Sequence, residues 1–261
     1  MEKNEKDKYL SNSLVRGLEI LKMFTPENPT YSLAEISQNL GVSRTVPYRF
    51  LYTLQTLGYL YQDEVTKRYG LTPKVLELGY SYLNTLQLPD IAKPYMEELR
   101  DHTKFSTHLG LLEGHEVVYV SRVPNIGVTT VTINIGSRLP AHATAMGKCL
   151  LSYLTEEQLY AKFAGVELKQ FTQRTKTLPK DLLSELEEIK EKGYAISDGE
   201  FEAEIRSVAA PIVKNNQVIA AINIAAPKAE LREENLESII QEVVHCATQI
   251  SKISSYSFSI T

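Results

Sequence analysis

Residues 32–71 read SLAEISQNLGVSRTVPYRFLYTLQTLGYLYQDEVTKRYGL, and this stretch decides the fold of the N-terminal part. Ser32 stands as an N-cap with Glu35 three residues on, the pattern of a capping box, and Leu33, Ile36 and Leu40 recur on one face of the short helix that follows. Gly41 allows a tight turn. A third helix is expected from near Ser43 to about Leu57, with Val46, Phe50, Leu54 and Leu57 as its apolar face and Gly58 as its stop. Pro47 is tolerated only because it falls early in that helix. Tyr59-Leu60-Tyr61 and Lys67-Arg68-Tyr69-Gly70-Leu71 flank a polar tip and read as a hairpin.

Upstream, Leu14, Leu18 and Leu21 recur at helical spacing until the Pro26–Pro29 segment, and residues 1–9 are charged and expected to be disordered. Three helices followed by a hairpin is the order of a winged helix-turn-helix, placed at residues 10–72. In such a fold the second helix of the pair enters the major groove and presents its N-terminal side chains to base edges. Here that end carries Ser43, Arg44, Thr45, Tyr48 and Arg49: arginines for guanine edges or phosphates, hydroxyls for phosphates, and a ring for sugar or a thymine methyl. Lys67 and Arg68 stand where a wing would touch the backbone. The same shape also serves as a protein-binding scaffold, so double-stranded DNA and an adaptor role are both open on shape alone.

Charge separates them in part. The whole chain of 261 residues is acidic, with a net charge of −4, yet residues 1–72 hold nine basic and eight acidic side chains. Between 43 and 72 the bases Arg44, Arg49, Lys67 and Arg68 outnumber Asp63 and Glu64. A local basic patch binds phosphates while the remainder stays acidic.

Thr72-Pro73 opens a further helix, a linker over 73–88, with Leu88-Pro89-Asp90 expected to break it. Residues 89–256 mix strands and helices. Strands are expected at 106–112, 117–122, 128–135, 194–197, 208–213 and 218–225, and helices at 89–103, 143–153, 156–164, 180–192 and 230–254. Gly114-His115 and Asn215-Asn216 each turn a hairpin, so the sheet is antiparallel and the class is α+β.

No apolar run reaches the roughly 18 residues that span a bilayer, and the charged start lacks the apolar centre of a signal peptide. A cytoplasmic protein with no membrane partner is expected. Cys149 and Cys246 are the only cysteines, and the five histidines show no metal spacing. With no Gly-x-Ser-x-Gly elbow and no Walker loop, no enzyme, cofactor or metal is expected.

In the second half, Gly136-Ser137-Arg138-Leu139-Pro140-Ala141-His142-Ala143-Thr144-Ala145-Met146-Gly147-Lys148 joins a strand to a helix. Small residues and a helix start suit an approaching carboxylate. The stretch reads equally as an ordinary connection with Arg138 and Lys148 in solvent.

Taken together, SLVRGLEILKMF, LAEISQNLGVSRTVPYRFLYTLQTLGYL, YGLTPKVLELG, VVYVSRV, GSRLPAHATAMGKCLLSYL, QRTKT, LEEIKEKGYAISDGEF, RSVAAPIV and VIAAINIAAP resemble the IclR family of bacterial transcription regulators, in order and over nearly the whole chain. The resemblance implies a winged-helix reader joined to a GAF-like effector-binding domain, assembled as a dimer or tetramer and controlling a catabolic operon. The VTINIGSRLPAHATAMGKCLL block looks closest to the branch that responds to aromatic acids. Carried over by matched blocks, the effector site is Val128, Val131, Ala145, Met146, Ser197, Ser207, Asn223 and Ala225. The two valines and the methionine would give an apolar wall, and the serines and Asn223 hydrogen bonds, a mix that suits a small, partly apolar acid. His142 and Arg138 stand behind these as candidates, and Arg206, beside Ser207 in a strand, faces away from it. The family commonly has cysteine where Ser207 stands, an acidic residue at Ser197 and a glycine-containing pair at Glu204-Ile205. The resemblance thus leaves the identity of the effector open.

Overall fold

The computed structural model describes residues 9–125 and 133–256, side chains as far as Ser254. The chain divides into two units, Met1–Thr85 and Leu86–Thr261.

In the first unit α1 (Asn12–Met23) starts at Ser11, whose hydroxyl accepts from the Leu14 amide. The capping box at Ser32 forms as the sequence indicates: Ser32 Oγ accepts from the Glu35 amide and the Glu35 carboxylate accepts from the Ser32 amide, starting α2 (Leu33–Asn39). Gly41 turns the chain at φ +64°, a conformation costly for any residue with a Cβ. The next helix, α3, spans Thr45–Thr56, and Pro47 falls within its first turn. Its buried face is Pro47, Leu51 and Leu54, one position round from the stripe expected at Val46, Phe50 and Leu57. The difference follows from the helix beginning two residues later and laying Leu51 against Ile20 and Ile36 in the core. Val46 and Phe50 instead line a groove shared with Leu14, Leu18 and Leu21 of α1 and Leu78.

The hairpin is made by β2 (Leu60–Gln62) and β3 (Tyr69–Leu71). A two-residue strand β1 (Thr30–Tyr31), absent from the sequence reading, completes a sheet of order β1-β3-β2. Asp63 organises the tip by accepting from the amides of Val65 and Thr66 and from the Thr66 hydroxyl. The linker is shorter than expected: one 3-10 turn at Pro73–Val75, capped by Thr72, then α4 (Leu76–Leu83). Leu88-Pro89-Asp90 does not break a helix. It opens α5 (Leu88–Thr103), because proline is well suited to the first helical turn.

The second unit is built on β4 (Thr107–Glu113), β5 (Glu116–Val123), β6 (Arg138–Pro140), β7 (Ala195–Asp198), β8 (Ile205–Lys214) and β9 (Gln217–Pro227). These form one antiparallel sheet of order β6-β5-β4-β9-β8-β7. Asn215 and Asn216 both take positive φ at the β8–β9 turn, as a tight two-residue hairpin requires. Helices α5 and α9 (Glu233–Tyr256) pack together on one face. On the other lies α6 (Ala145–Leu151), backed by α7 (Glu156–Phe163) and α8 (Pro179–Lys192). A Cβ on Gly147 would overlap the backbone of Ala141, so only glycine lets α6 close onto the 3-10 turn Ala141–Ala143 before it. Most of the strand expected at 128–135 lies outside the described residues, and Ile135-Gly136 form a turn.

Candidate DNA interface and ligand cavity

Four exposed side chains of α3, Thr45, Tyr48, Arg49 and Tyr52, fall at i, i+3, i+4 and i+7, so they form one stripe along the helix. Tyr48 is 58% and Tyr52 64% exposed. Arg44 precedes the helix and puts no side-chain cap on its first turn, where the Val46 amide donates to the Ser43 carbonyl and Pro47 has no donor to satisfy. Ser43 Oγ and Thr45 Oγ1 lie 3.0 Å apart beside it. Among the described residues no ion pair engages Arg44, Arg49 or Lys67, and Lys67 projects from the exposed wing tip. Tyr52 was not found from sequence. Its signal is the i+7 spacing from Thr45, legible only once the true start of the helix is known.

Arg68 departs from its expected role at the wing. Its Nε donates to Thr30 Oγ1, its Nη2 to the Thr30 carbonyl, and its guanidinium pairs with Glu35 at 2.9 Å. The side chain ties β3 to β1 and α2, and so holds the wing rather than reaching outward.

In the second unit, strand alternation turns Asn223, Ala225, Ser207 and Ser197 to the α6 side of the sheet, where Ser207 pairs across strands with both Ala225 and Ser197. They line a cavity of about 210 Å³ with Tyr119, Ile133, Ser137, Leu139, Ala143, Thr144, Phe201, Glu202 and Ile205. Apolar surface and neutral hydrogen-bonding groups predominate. Among the described residues no lysine or arginine lines it, and Glu202 adds an acidic group. Ser197 Oγ donates to the Ala143 carbonyl, and Thr144 Oγ1 accepts from the Gly147 amide. The start of α6 is therefore capped by its own chain, not open as the sequence suggested.

Phe201 and Glu202 reach the cavity from the loop after β7, and an ionic cluster anchors that loop. Lys148, which one of the two sequence readings placed in solvent, is fully buried. Its Nζ donates to Glu185 Oε1 at 2.6 Å, Glu200 Oε1 at 2.5 Å and the Ile196 carbonyl at 2.9 Å, while Lys176 pairs with Glu185. Burial drives the Glu200 carboxyl up, and Lys148 only partly offsets it, leaving it above its ordinary value. Burial also pushes Glu185 up, but Lys148 and Lys176 together overcome it and hold that group low. On the other side of the loop, burial of Asp198 is outweighed by Arg206, Lys228 and Arg174, which bring its carboxyl down to about 2.

The bacterial transcriptional regulator IclR C-terminal model matches residues 80–252, and the IclR helix-turn-helix domain model matches 13–64. The chain belongs to the IclR family. Among its curated relatives, the HTH-type transcriptional regulator XynR of Escherichia coli (strain K12) is 31% identical over 245 residues, covering 94% of this chain and 97% of that protein. The p-hydroxybenzoate hydroxylase transcriptional activator of Acinetobacter baylyi is 33% identical over 216 residues, covering 80% and 79%. The crystal structure of the Thermotoga maritima IclR superposes with a TM-score of 0.76 at 29% identity, covering 94% of this chain and 99% of that one. The chain is an α+β transcription regulator of this family, with a helix-turn-helix unit followed by an effector-binding unit.

Of the eight effector residues carried over from the IclR family, Ser197, Ser207, Asn223 and Ala225 line the cavity. Val128 and Val131 lie outside the described residues. Ala145 and Met146 do not line it. Both are fully buried in the core beneath α6, with Met146 Sδ pressed against Gly110. Every residue of α6 is buried, so these two side chains face protein whichever way round the helix they point. The second-rank candidates are also occupied: His142 Nε2 meets the Lys169 carbonyl and Arg138 pairs with Glu113 and Glu116. Arg206 serves structure, bridging Asp198 and Glu233. Tyr119 lines the cavity and was missed, because nothing in VVYVSRV distinguishes its face from that of its neighbours.

Proposed function

We propose that this regulator reads operator DNA through Arg44, Thr45, Tyr48, Arg49 and Tyr52, helped by Ser43 and Lys67, and that a small organic acid in the second unit's cavity changes that binding. The observation that carries the effector reading is the cavity itself, an apolar chamber with a few convergent hydroxyl and amide groups on the floor of a rigid sheet. Among the described residues no cation lines it and Glu202 does, so the most charge the site suits is a single carboxylate held by neutral donors away from Glu202. A relative named as an activator of p-hydroxybenzoate hydroxylase supports an acid from aromatic catabolism and a catabolic target operon. The reader acts as a homodimer. Leu14 and Leu18 of α1 and Leu76, Leu78, Tyr80 and Tyr82 of the linker are exposed, and a patch of this kind marks an interface. A two-fold protein matches two half-sites.

A thermal-shift screen of small mono-, di- and tricarboxylic acids on the full chain tests the effector reading. A ligand at a hundred times its Kd adds about 2.7 kcal/mol, so Tm is expected to rise by roughly 5–10 °C for a monocarboxylate and not for a tricarboxylate. Ala225→Leu, which fills the cavity, is expected to fold and lose the shift. A shift unchanged in that variant, or none with any acid, overturns the assignment.

A further inference from the structure

The side chains of α3 limit which bases it can read. In the major groove a bidentate arginine takes guanine, an asparagine or glutamine takes adenine, a carboxylate takes the cytosine amine, and an apolar surface takes the thymine methyl. From Thr45 to Leu54 the helix carries no carboxylate, no asparagine and no glutamine. Gln55, the one amide before its end, is half-buried. Thr53 and Thr56 are exposed but turn their hydroxyls back onto the Arg49 and Tyr52 carbonyls. What remains on the outward stripe is Thr45, Arg49 and the two phenol rings of Tyr48 and Tyr52. That set suits guanine and thymine.

The two rings are not committed to the core. Both are more than half exposed, whereas Tyr69 of β3 is buried. The aromatic contacts of this unit lie elsewhere, between Phe24 and Tyr31 and between Lys74 and Tyr59. A phenol carries no positive charge, so beside Arg49 it adds little to phosphate attraction. It gains by covering an apolar group. The C5-methyl of thymine is the apolar group that the major groove presents, and packing it on a ring takes both surfaces out of water.

Spacing sets where the rings fall. At about 1.5 Å of rise per residue, Tyr48 and Tyr52 stand about 6 Å apart along the helix. Successive bases of a strand lie about 3.4 Å apart, so the two rings address positions about two base pairs apart.

We propose that Tyr48 and Tyr52 are specificity-determining residues, each packing on a thymine methyl, and that the operator half-site carries two thymines about two base pairs apart beside the guanine taken by arginine. The proposal rests on α3 being the reading helix and adds the class of DNA sequence that this helix selects.

The test uses the full chain and the double-stranded DNA it selects from a random pool. Replacing a thymidine by deoxyuridine removes the methyl alone and leaves base pairing and the protein untouched. With one replacement at a time in one half-site, followed by fluorescence anisotropy, two positions are expected to lose affinity about three- to fivefold each, the worth of one buried methyl. Cytosine at either position should bind more weakly still, and 5-methylcytosine, which carries a methyl at the same place, should recover part of that loss. Tyr52→Ala should abolish the deoxyuridine effect at one of the two positions and Tyr48→Ala at the other, while Tyr52→Phe, which keeps the ring, preserves it. Both side chains are exposed, so these variants are expected to keep the parent's Tm. Deoxyuridine effects below about twofold at every thymine, less than one buried methyl supplies, overturn the proposal. So do effects that survive both alanine variants, and effects that trace to one tyrosine alone. A Tyr52→Ala loss equal on thymidine and deoxyuridine sites marks a sugar or phosphate contact and also overturns it. In each of these cases reading through α3 still stands if Arg44→Ala or Arg49→Ala relaxes the selected sequence. A pool that yields no specific site fells both.

Discussion

Arg44→Ala and Arg49→Ala are each expected to weaken specific DNA binding by about 1–3 kcal/mol, roughly 5- to 150-fold, because each removes a base-edge contact of the kind an arginine makes with guanine. The probe is double-stranded DNA selected by the full chain from a random pool, and the recovered sites are expected to be pseudo-palindromic. Fluorescence anisotropy at fixed salt measures the loss, and re-selection with each variant shows relaxed preference at one position per half-site. Lys67→Ala should behave differently. As a backbone contact at the wing tip it lowers affinity for all sequences alike and flattens the salt dependence by about one in slope. Arg68→Ala should act through the wing's anchorage, since its guanidinium is taken up by Thr30 and Glu35. Unchanged affinity in both Arg44→Ala and Arg49→Ala would remove the stripe on α3 as the reading surface.

Lys148→Met is expected to be the most destabilising single change in the second unit. Its amine is the shared partner of two carboxylates, and Glu200 Oε2 is already without a hydrogen-bond partner. Breaking a buried ion pair from one side costs about 3–5 kcal/mol because the remaining charge stays buried and uncompensated. In a unit of this size that lowers Tm by about 6–20 °C. Adding Glu200→Gln to Lys148→Met should recover much of the loss, since Glu185 keeps Lys176 as its partner and no carboxylate is then stranded. The pH dependence has a defined sign. Burial raises the folded pKa of Glu200 above its ordinary 4.5, and loss of Lys148 raises it further. A carboxyl with a raised folded pKa favours the folded state when protonated, a contribution present below 4.5 and lost as pH rises through the folded value. The gap between Lys148→Met and the parent should therefore narrow as pH falls from 8 towards 5, as followed by urea unfolding. A gap of under about 1 kcal/mol at pH 8, the level of a surface ion pair, would show that the cluster does not hold the loop beside the cavity.

Features set by neighbours in sequence were legible before the structure. The Ser32–Glu35 capping box, the Thr72-Pro73 helix start and the Asn215-Asn216 turn all follow from groups a few residues apart, and each forms where the sequence places it. Features set by distant partners were not. Strand β1 exists only because Thr30 pairs with Gly70, and β6 only because Arg138 pairs with Val118. Lys148 sits in a run of small residues that reads as a surface connection, yet its carboxylate partners lie 37 and 52 residues further along the chain. The candidate site divides the same way. Ser197, Ser207, Asn223 and Ala225 came through matched blocks and share a face by simple strand alternation. Met146 does not line the cavity, because a residue beside the right backbone can still point its side chain into the core. Tyr119 joins that face through a register shift between Leu109 and Gly110, which no local pattern announces.

The central claim is that one ligand in the second unit's cavity biases DNA reading by the first. Coupling of that kind is reciprocal: the factor by which the acid changes DNA affinity must equal the factor by which DNA changes acid affinity, commonly about 5–150-fold. The most direct measurement titrates the full chain with its selected DNA, with and without a saturating concentration of the acid found in the thermal screen, and titrates the acid with and without DNA. Equal factors well above one, both lost in Ala225→Leu while that variant still binds DNA, are the predicted result. An acid that binds the cavity and leaves DNA affinity unchanged would contradict the account.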